Sequence, residues 1–236
     1  MSSALALLPA PHPDWSDDAA VLAATEAIAS GPLAENAGRI DHGHYPLEIM
    51  RQFGEAGALG AHLDRHGQRF ALAIDAMAGA SRACGATGFL LWCHDVCGMY
   101  LEQSGNPALT GAFLDGHAAA LSFGGTALSN PMKSFAGIEP MLLRARPVAG
   151  GYSVSGSLPW VSHIGPGQYC GAIAAVLGPD DKPVREIMFV LRFDGRAELR
   201  QCPQFSGMEG TSTWGIRLDG YRIGPDDLIA DPAKPF

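Results

Sequence analysis

From Gly150 to Gly165 the chain reads GGYSVSGSLPWVSHIG. Tyr152, Val154 and Leu158 alternate with serine and glycine at the period of two that marks a β-strand, and the segment follows MLLRARPV (141–148) across a glycine turn. In MLLRARPV, Arg144 and Arg146 alternate with Leu143 and Ala145, so the two segments predict a hairpin. At its far end Trp160 and Ser162 stand two apart, and residues two apart in a strand share a face. A flat apolar ring therefore lies beside a hydroxyl. That pair suits a flat ligand, and it suits equally a core tryptophan at a strand end, because aromatic residues mostly serve packing.

Downstream the same period continues. YCGAIAAVL (169–177) and VREIMFVLRF (184–193) are split by the turn GPDDKP, and Ile187, Phe189, Leu191 and Phe193 line one face of the second. STWGIRLDGYRI (212–223) places Trp214, Ile216 and Leu218 on one face. Short antiparallel strands of this kind predict a small barrel or sandwich. Upstream of about residue 120 the apolar spacing is helical and alanine is abundant. Ser16 is placed to cap a helix through Val21, Leu22 and Ile28 that stops at Gly31. Pro46 opens a second, with Leu47, Met50 and Phe53 on one face and Gly57 at its end. Phe70, Ile74, Met77 and Ser81 form a third stripe, and Ala86 to Leu101 is apolar almost all round, as in the centre of a bundle. The expected fold class is α+β: an all-α domain over 1–118, then an antiparallel β-barrel domain over 119–236.

Composition removes several functions. With 47% hydrophobic and 17% charged residues, 236 residues bury a sizeable core, and a formal net charge of -8 without a basic run argues against nucleic acid. The opening MSSALALLPAPHPDW lacks a positive n-region and an adequate apolar core, and no apolar run is long enough to span a bilayer, so the expectation is a cytoplasmic protein without a membrane partner. Five cysteines scattered along the chain fit reduced thiols better than a disulfide framework. CHDVC (93–97) has no complementary ligand pair, His62 and His66 flank Asp64 and Arg65 in what reads as a solvated loop, and the expectation is no metal. GxGxxG after a strand, a P-loop and GxSxG are all missing.

Four segments in order resemble the acyl-CoA dehydrogenase family. YPLEIMRQFGEAGALGAHL (45–63) is similar to its early helix and the following turn, LSFGGTALS (121–129) to its Y-x-V-T-E strand, GGYSVSGSLPWVSHIG to its strand ending in W-I-(S/T), and GMEGTSTWGIRLDGYRIGPDDLI (207–229) to the segment that closes the barrel. The resemblance implies FAD, with Trp160 as a wall beside the isoalloxazine, Ser162 as a donor towards its N5 side, Thr126 as a second hydrogen-bonding residue, and Phe123 and Gly125 in the family's tyrosine and valine positions. It also implies oxidation of an acyl-CoA-type small molecule and a place in lipid metabolism.

The departures carry information too. Ala127-Leu128-Ser129-Asn130-Pro131 stands where the family has E-P-G-x-G-S-D, a turn near the acyl-CoA. Leu158 replaces a lysine, and no carboxylate matches the catalytic base, which the family supplies from a C-terminal helical bundle without a counterpart before Phe236. Glu139 and Glu209 read as solvated loop residues. The catalytic residues are therefore unknown, and the resemblance implies a homodimer or a second chain supplying the helical domain. Three functions stay open: an acyl-CoA dehydrogenase relative, a flavin-dependent monooxygenase of the same superfamily, and a non-catalytic assembly subunit with an empty flavin site.

Overall fold

The computed structural model describes residues 15–233; residues 1–14, read above for a leader, lie outside them. The helical part comprises α1 (Asp18–Ile28), α2 (Ala34–Asp41), α3 (Leu47–Glu55), α4 (Phe70–Ala83), α5 (Gly85–Gln103), α6 (Pro107–Thr110) and α7 (Ala112–Ala118). Asp17 caps α1, its carboxylate accepting the Ala19 N–H at 3.0 Å. Gly31 does not end the helical run as expected. A wide π turn over Ala29–Leu33, with Gly31 at φ -100° and ψ -106°, carries the chain past Pro32 into α2. Proline lacks the N–H that a tighter turn would use, so the chain kinks and continues. No helix among the described residues is long and apolar enough to cross a membrane.

α3 buries Ile49, Met50 and Phe53, as its spacing predicts. For α4 the stripe was read on the wrong face. Phe70 and Ile74 are 45% and 61% exposed, whereas Leu72, Ala73, Ala76, Gly79 and Ala80 face inward. Small residues let α4 approach its neighbours α1 and α5 closely, and that geometry prevails over the larger apolar surface of Phe70 and Ile74. α5 is buried along most of its length and packs against α4 and the first strand.

The strands are β1 (Gly124–Thr126), β2 (Arg144–Val148), β3 (Gly151–Val161), β4 (Tyr169–Leu177), β5 (Pro183–Arg192), β6 (Glu198–Gln201), β7 (Trp214–Ile223) and β8 (Leu228–Ala230), and α8 (Ser129–Phe135) follows β1. They form one eight-stranded sheet in the order β6-β7-β3-β2-β4-β5-β8, with β1 beside β4. The hairpin is present, Val148 opposite Gly151 and Arg144 opposite Ser155. The sheet is mostly antiparallel, as expected, with β1 and β2 running parallel to β4. The edge strands β6 and β8 are not paired with one another, so the barrel is open.

β4 positions everything else. All nine of its residues are buried. Cys170, Ala172, Ala174 and Val176 point into the barrel core with Ile187, Phe189 and Leu191 of β5, while Tyr169 and Ile173 join Met188, Val190, Cys97, Leu101 and Leu114 in a second core shared with the helices. A strand covered on both faces reads as a continuous apolar run, the pattern of YCGAIAAVL. Gly171 is required here because a Cβ would lie 2.6 Å from the Tyr100 ring.

Candidate functional site

The end of β3 is bulged. Its register against β7 slips between Leu158 and Val161, so Val161 turns into the core and Trp160 turns out, 52% exposed, where regular alternation would have buried it beside Leu158. Trp160 and Ser162 line a cleft of about 300 Å³ with Phe89 of α5, Phe205, Met208, Thr211 and Thr213. Phe89 stacks on Trp92 (centroids 5.5 Å apart) and Trp160 meets Phe205 at 5.9 Å. One wall is a chain of hydroxyls: Ser162 Oγ lies 2.6 Å from Thr213 Oγ1, which lies 2.9 Å from Thr211 Oγ1. Thr126 forms an isolated antiparallel bridge with Ser162, and its Oγ1 is 3.1 Å from the Tyr100 hydroxyl. Gly125 lies under that bridge, where a Cβ would sit 2.5 Å from the Ser162 carbonyl oxygen and 2.9 Å from that of His163.

Of the residues singled out in the sequence, Trp160 and Ser162 line the cleft, and Thr126 and Gly125 adjoin it through the backbone of residues 162 and 163. Phe123 is 5% exposed and packs against His94 and His163 in the interior. Phe89, Phe205, Thr211 and Thr213 were missed. Thr211 and Thr213 carry a legible signal, two hydroxyls at strand spacing just before Trp214; Phe205 and Phe89 depend on how the β6–β7 loop and α5 are placed.

The β6–β7 loop also bounds a second, polar cavity of about 590 Å³ that shares Phe205, Gly207 and Thr213 with the cleft. The loop is tied to the helical part. Asp41 Oδ1 accepts the Met208 N–H at 2.8 Å, Glu209 accepts the Phe205 N–H, and Gly210 packs so close that a Cβ would lie 2.3 Å from the Ile40 carbonyl oxygen. Glu209 is thus a loop anchor facing a cavity. Three non-glycine residues with left-handed φ border this region, His163 (60°), Met208 (60°) and Ser212 (47°), held by His163 N–H to Thr211 O and Ser212 Oγ to Ile164 O at 2.9 and 2.7 Å. Such strain persists only where surrounding contacts fix it. Glu139 ties a different loop: Asn130, buried at the start of α8, donates to it at 2.9 Å and accepts the Leu142 N–H at 2.9 Å.

Behind the cleft lies a cluster of buried histidines. The His94 and His117 rings stack at 3.7 Å and 9°, each Nε2–H donating to the other's backbone carbonyl, at 3.0 and 2.9 Å. Tyr169 donates to His117 Nδ1 at 2.7 Å, and the Gly124 N–H reaches His94 Nδ1 at 3.5 Å. Both rings are therefore neutral Nε2–H tautomers. Burial pushes His94 down to about 3 and His62 to about 4, and drives His117 and His163 well below the usual imidazole range. His62 was read as a solvated loop residue; it is 3% exposed, its Nδ1 lying 3.7 Å from Asp95 Oδ1, and burial holds the Asp95 carboxyl well above the usual range. Among the described residues no three His, Cys, Asp or Glu side chains are grouped to hold a metal.

The cysteines of CHDVC are buried as well. Burial raises both thiols, Cys97 to about 12, and raises that of Cys202 as well, but Cys202 alone is partly exposed, in the lining of the polar cavity. A disulfide reagent must reach the sulfur, so DTNB is expected to titrate one thiol promptly in the folded chain, Cys202, and all five after denaturation. Prompt reaction of two or more would contradict the burial of the other four.

The comparisons agree with this layout. Residues 16–120 match the acyl-CoA dehydrogenase N-terminal domain family. Butyryl-CoA dehydrogenase from Megasphaera elsdenii superposes with a TM-score of 0.78 over 91% of this chain at 17% identity. The chain has the acyl-CoA dehydrogenase fold. Within that fold it also matches a glutaryl-CoA dehydrogenase from Mycobacterium smegmatis in complex with FADH2 (TM-score 0.75, 17% identity, 90% of this chain). A dibenzothiophene monooxygenase from Paenibacillus sp. A11-2, also solved with FMN bound, matches with a TM-score of 0.73 at 16% identity over 91% of this chain. The chain spans 58%, 55% and 54% of these three proteins respectively, the helical and sheet portions of the acyl-CoA dehydrogenase fold. No curated relative matches the sequence.

Proposed function

We propose that the chain is the helical and barrel portion, 1–118 and 119–236, of a flavin-dependent oxidoreductase that acts with FAD on an acyl-CoA or related substrate. The observation that carries this is the bulge that turns Trp160 out of the barrel beside the Ser162–Thr213–Thr211 hydroxyls. A flavin needs a flat apolar wall and a few placed donors, which these residues offer, with Thr126 and Gly125 holding Ser162 in place. Bound flavin would supply hydride-accepting chemistry. The residues of this chain would bind and orient the ring and keep water from one side of it. The apolar cleft has no carboxylate in its lining, so a base would come from outside it, and a helical domain like the family's C-terminal one is the source we propose.

A second reading, a flavin-dependent monooxygenase, is favoured by one observation. Where the family has its turn near the acyl-CoA, this chain builds α8 and clamps Glu139 and Leu142 through Asn130.

Flavin titration followed by its fluorescence tests the proposal. If a further helical domain supplies contacts worth about 4 kcal/mol, residues 1–236 are expected to bind flavin by themselves about a thousandfold more weakly than a complete site. Supplying that helical domain is expected to restore affinity, and Trp160→Ala is then expected to weaken it about tenfold. Tight stoichiometric binding by this chain alone would refute the divided site. Unchanged affinity in Trp160→Ala would remove the tryptophan from it, and no flavin binding in the completed complex would leave the assembly-subunit reading.

A further inference from the structure

The polar cavity beside the cleft has a chemistry of its own. Its lining combines three aromatic side chains, Tyr45, Phe205 and Trp214, with two carboxylates, Asp41 and Glu209, and contains neither lysine nor arginine; His42 is its one basic residue. Each carboxylate spends one oxygen on a loop N–H, Asp41 on Met208 and Glu209 on Phe205, and the other oxygen of each accepts no hydrogen bond among the described residues. The loop therefore holds two negative charges in fixed positions beside aromatic rings. The cavity is ligand-sized at about 590 Å³ and adjoins the apolar cleft at the shared Phe205, Gly207 and Thr213.

We propose that this cavity binds an organic cation, an alkylammonium or arylammonium group. Aromatic rings attract a cation through the negative potential of their faces, and carboxylates add Coulomb attraction in a partly enclosed site. The same lining disfavours phosphate and carboxylate ends, because its two carboxylates face a single imidazole and no lysine or arginine. The formal net charge of -8 draws cations to the whole surface, and the cavity adds geometry to that field. This inference stands apart from the flavin proposal, which uses the neighbouring cleft.

Choline and its uncharged isostere 3,3-dimethylbutan-1-ol are the probes, with binding to the full chain read by calorimetry and by tryptophan fluorescence. Choline is expected to bind about tenfold more tightly than the isostere, and added salt is expected to weaken choline alone. In the double variant Asp41→Asn, Glu209→Gln the amide oxygens still accept the Met208 and Phe205 N–H groups while the charges are gone. Its preference for choline is expected to disappear with the far-ultraviolet dichroism unchanged. If that variant fails to fold, Phe205→Leu leaves both anchors intact and is expected to weaken choline severalfold without affecting the alcohol. Equal affinity for the two probes, no choline binding, or a preference that survives the substitutions would overturn the proposal. Flavin is titrated separately by its own fluorescence, so either idea fails without the other.

Discussion

Lowering the pH from about 7 to about 5 is expected to destabilise the chain by about 5 kcal/mol, the slope approaching about 4 kcal/mol per pH unit well below the ordinary imidazole value of about 6.5. His62, His94, His117 and His163 are buried, and burial depresses all four, to about 4 for His62 and about 3 for His94. Between those values and about 6.5 the unfolded chain takes up protons that the folded chain refuses. Their contribution is therefore complete above about 6.5 and is lost as the pH falls. Asp95 works the other way: its folded carboxyl is raised, so the folded state holds a proton that the unfolded state has released. Four histidines less one aspartate leave three protons, and each is worth about 1.4 kcal/mol per pH unit. Against a total stability of about 5–15 kcal/mol this brings a domain at the lower end of that range to its unfolding midpoint. Melting temperatures by circular dichroism across the range provide the measurement, and a melting temperature independent of pH would show that the rings titrate in the folded state.

Gly125→Ala is expected to destabilise by about 3 kcal/mol, the upper end for overpacking, and to abolish flavin binding in the completed complex. The added methyl meets two backbone carbonyl oxygens, at 2.5 and 2.9 Å, and neither can swing aside as a side-chain tip would. Relief requires β1 to move away from residues 162 and 163, which breaks the Thr126–Ser162 bridge. Trp160→Ala, by contrast, removes a half-exposed ring and is expected to leave the melting temperature nearly unchanged. A Gly125→Ala chain with wild-type stability would show that the bridge is soft.

Much of this architecture was legible because its signals are local. The hairpin, the dry strand YCGAIAAVL and the pairing of Trp160 with Ser162 all follow from a period of two. The misreadings share a different cause. Whether Phe70 and Ile74 or Leu72 and Ala76 face the core depends on which neighbours come closest, and small residues settled that. The burial of His62 depends on Asp95, thirty-three positions away, and the outward turn of Trp160 on a register slip against β7. Periodicity carries none of this information, since each outcome is decided by an element distant in sequence.

The doubly covered β4 bears on what happens after unfolding. Tyr169–Leu177 carries neither charge nor proline over nine residues and is apolar along its length, features of a segment that pairs with copies of itself once exposed. Gly165-Pro166-Gly167 before it and Gly178-Pro179-Asp180-Asp181 after it are its gatekeepers. Near neutral pH the net charge of -8 gives the heat-unfolded chain some self-repulsion, which opposes pairing of the released strand. At a pH of about 5 the eight protonated histidines and sixteen lysines and arginines balance the twenty-four carboxylates, so the same strand is released into a chain without net charge. Precipitation is then expected to outrun refolding, and the half-life on warming becomes a rate of first opening.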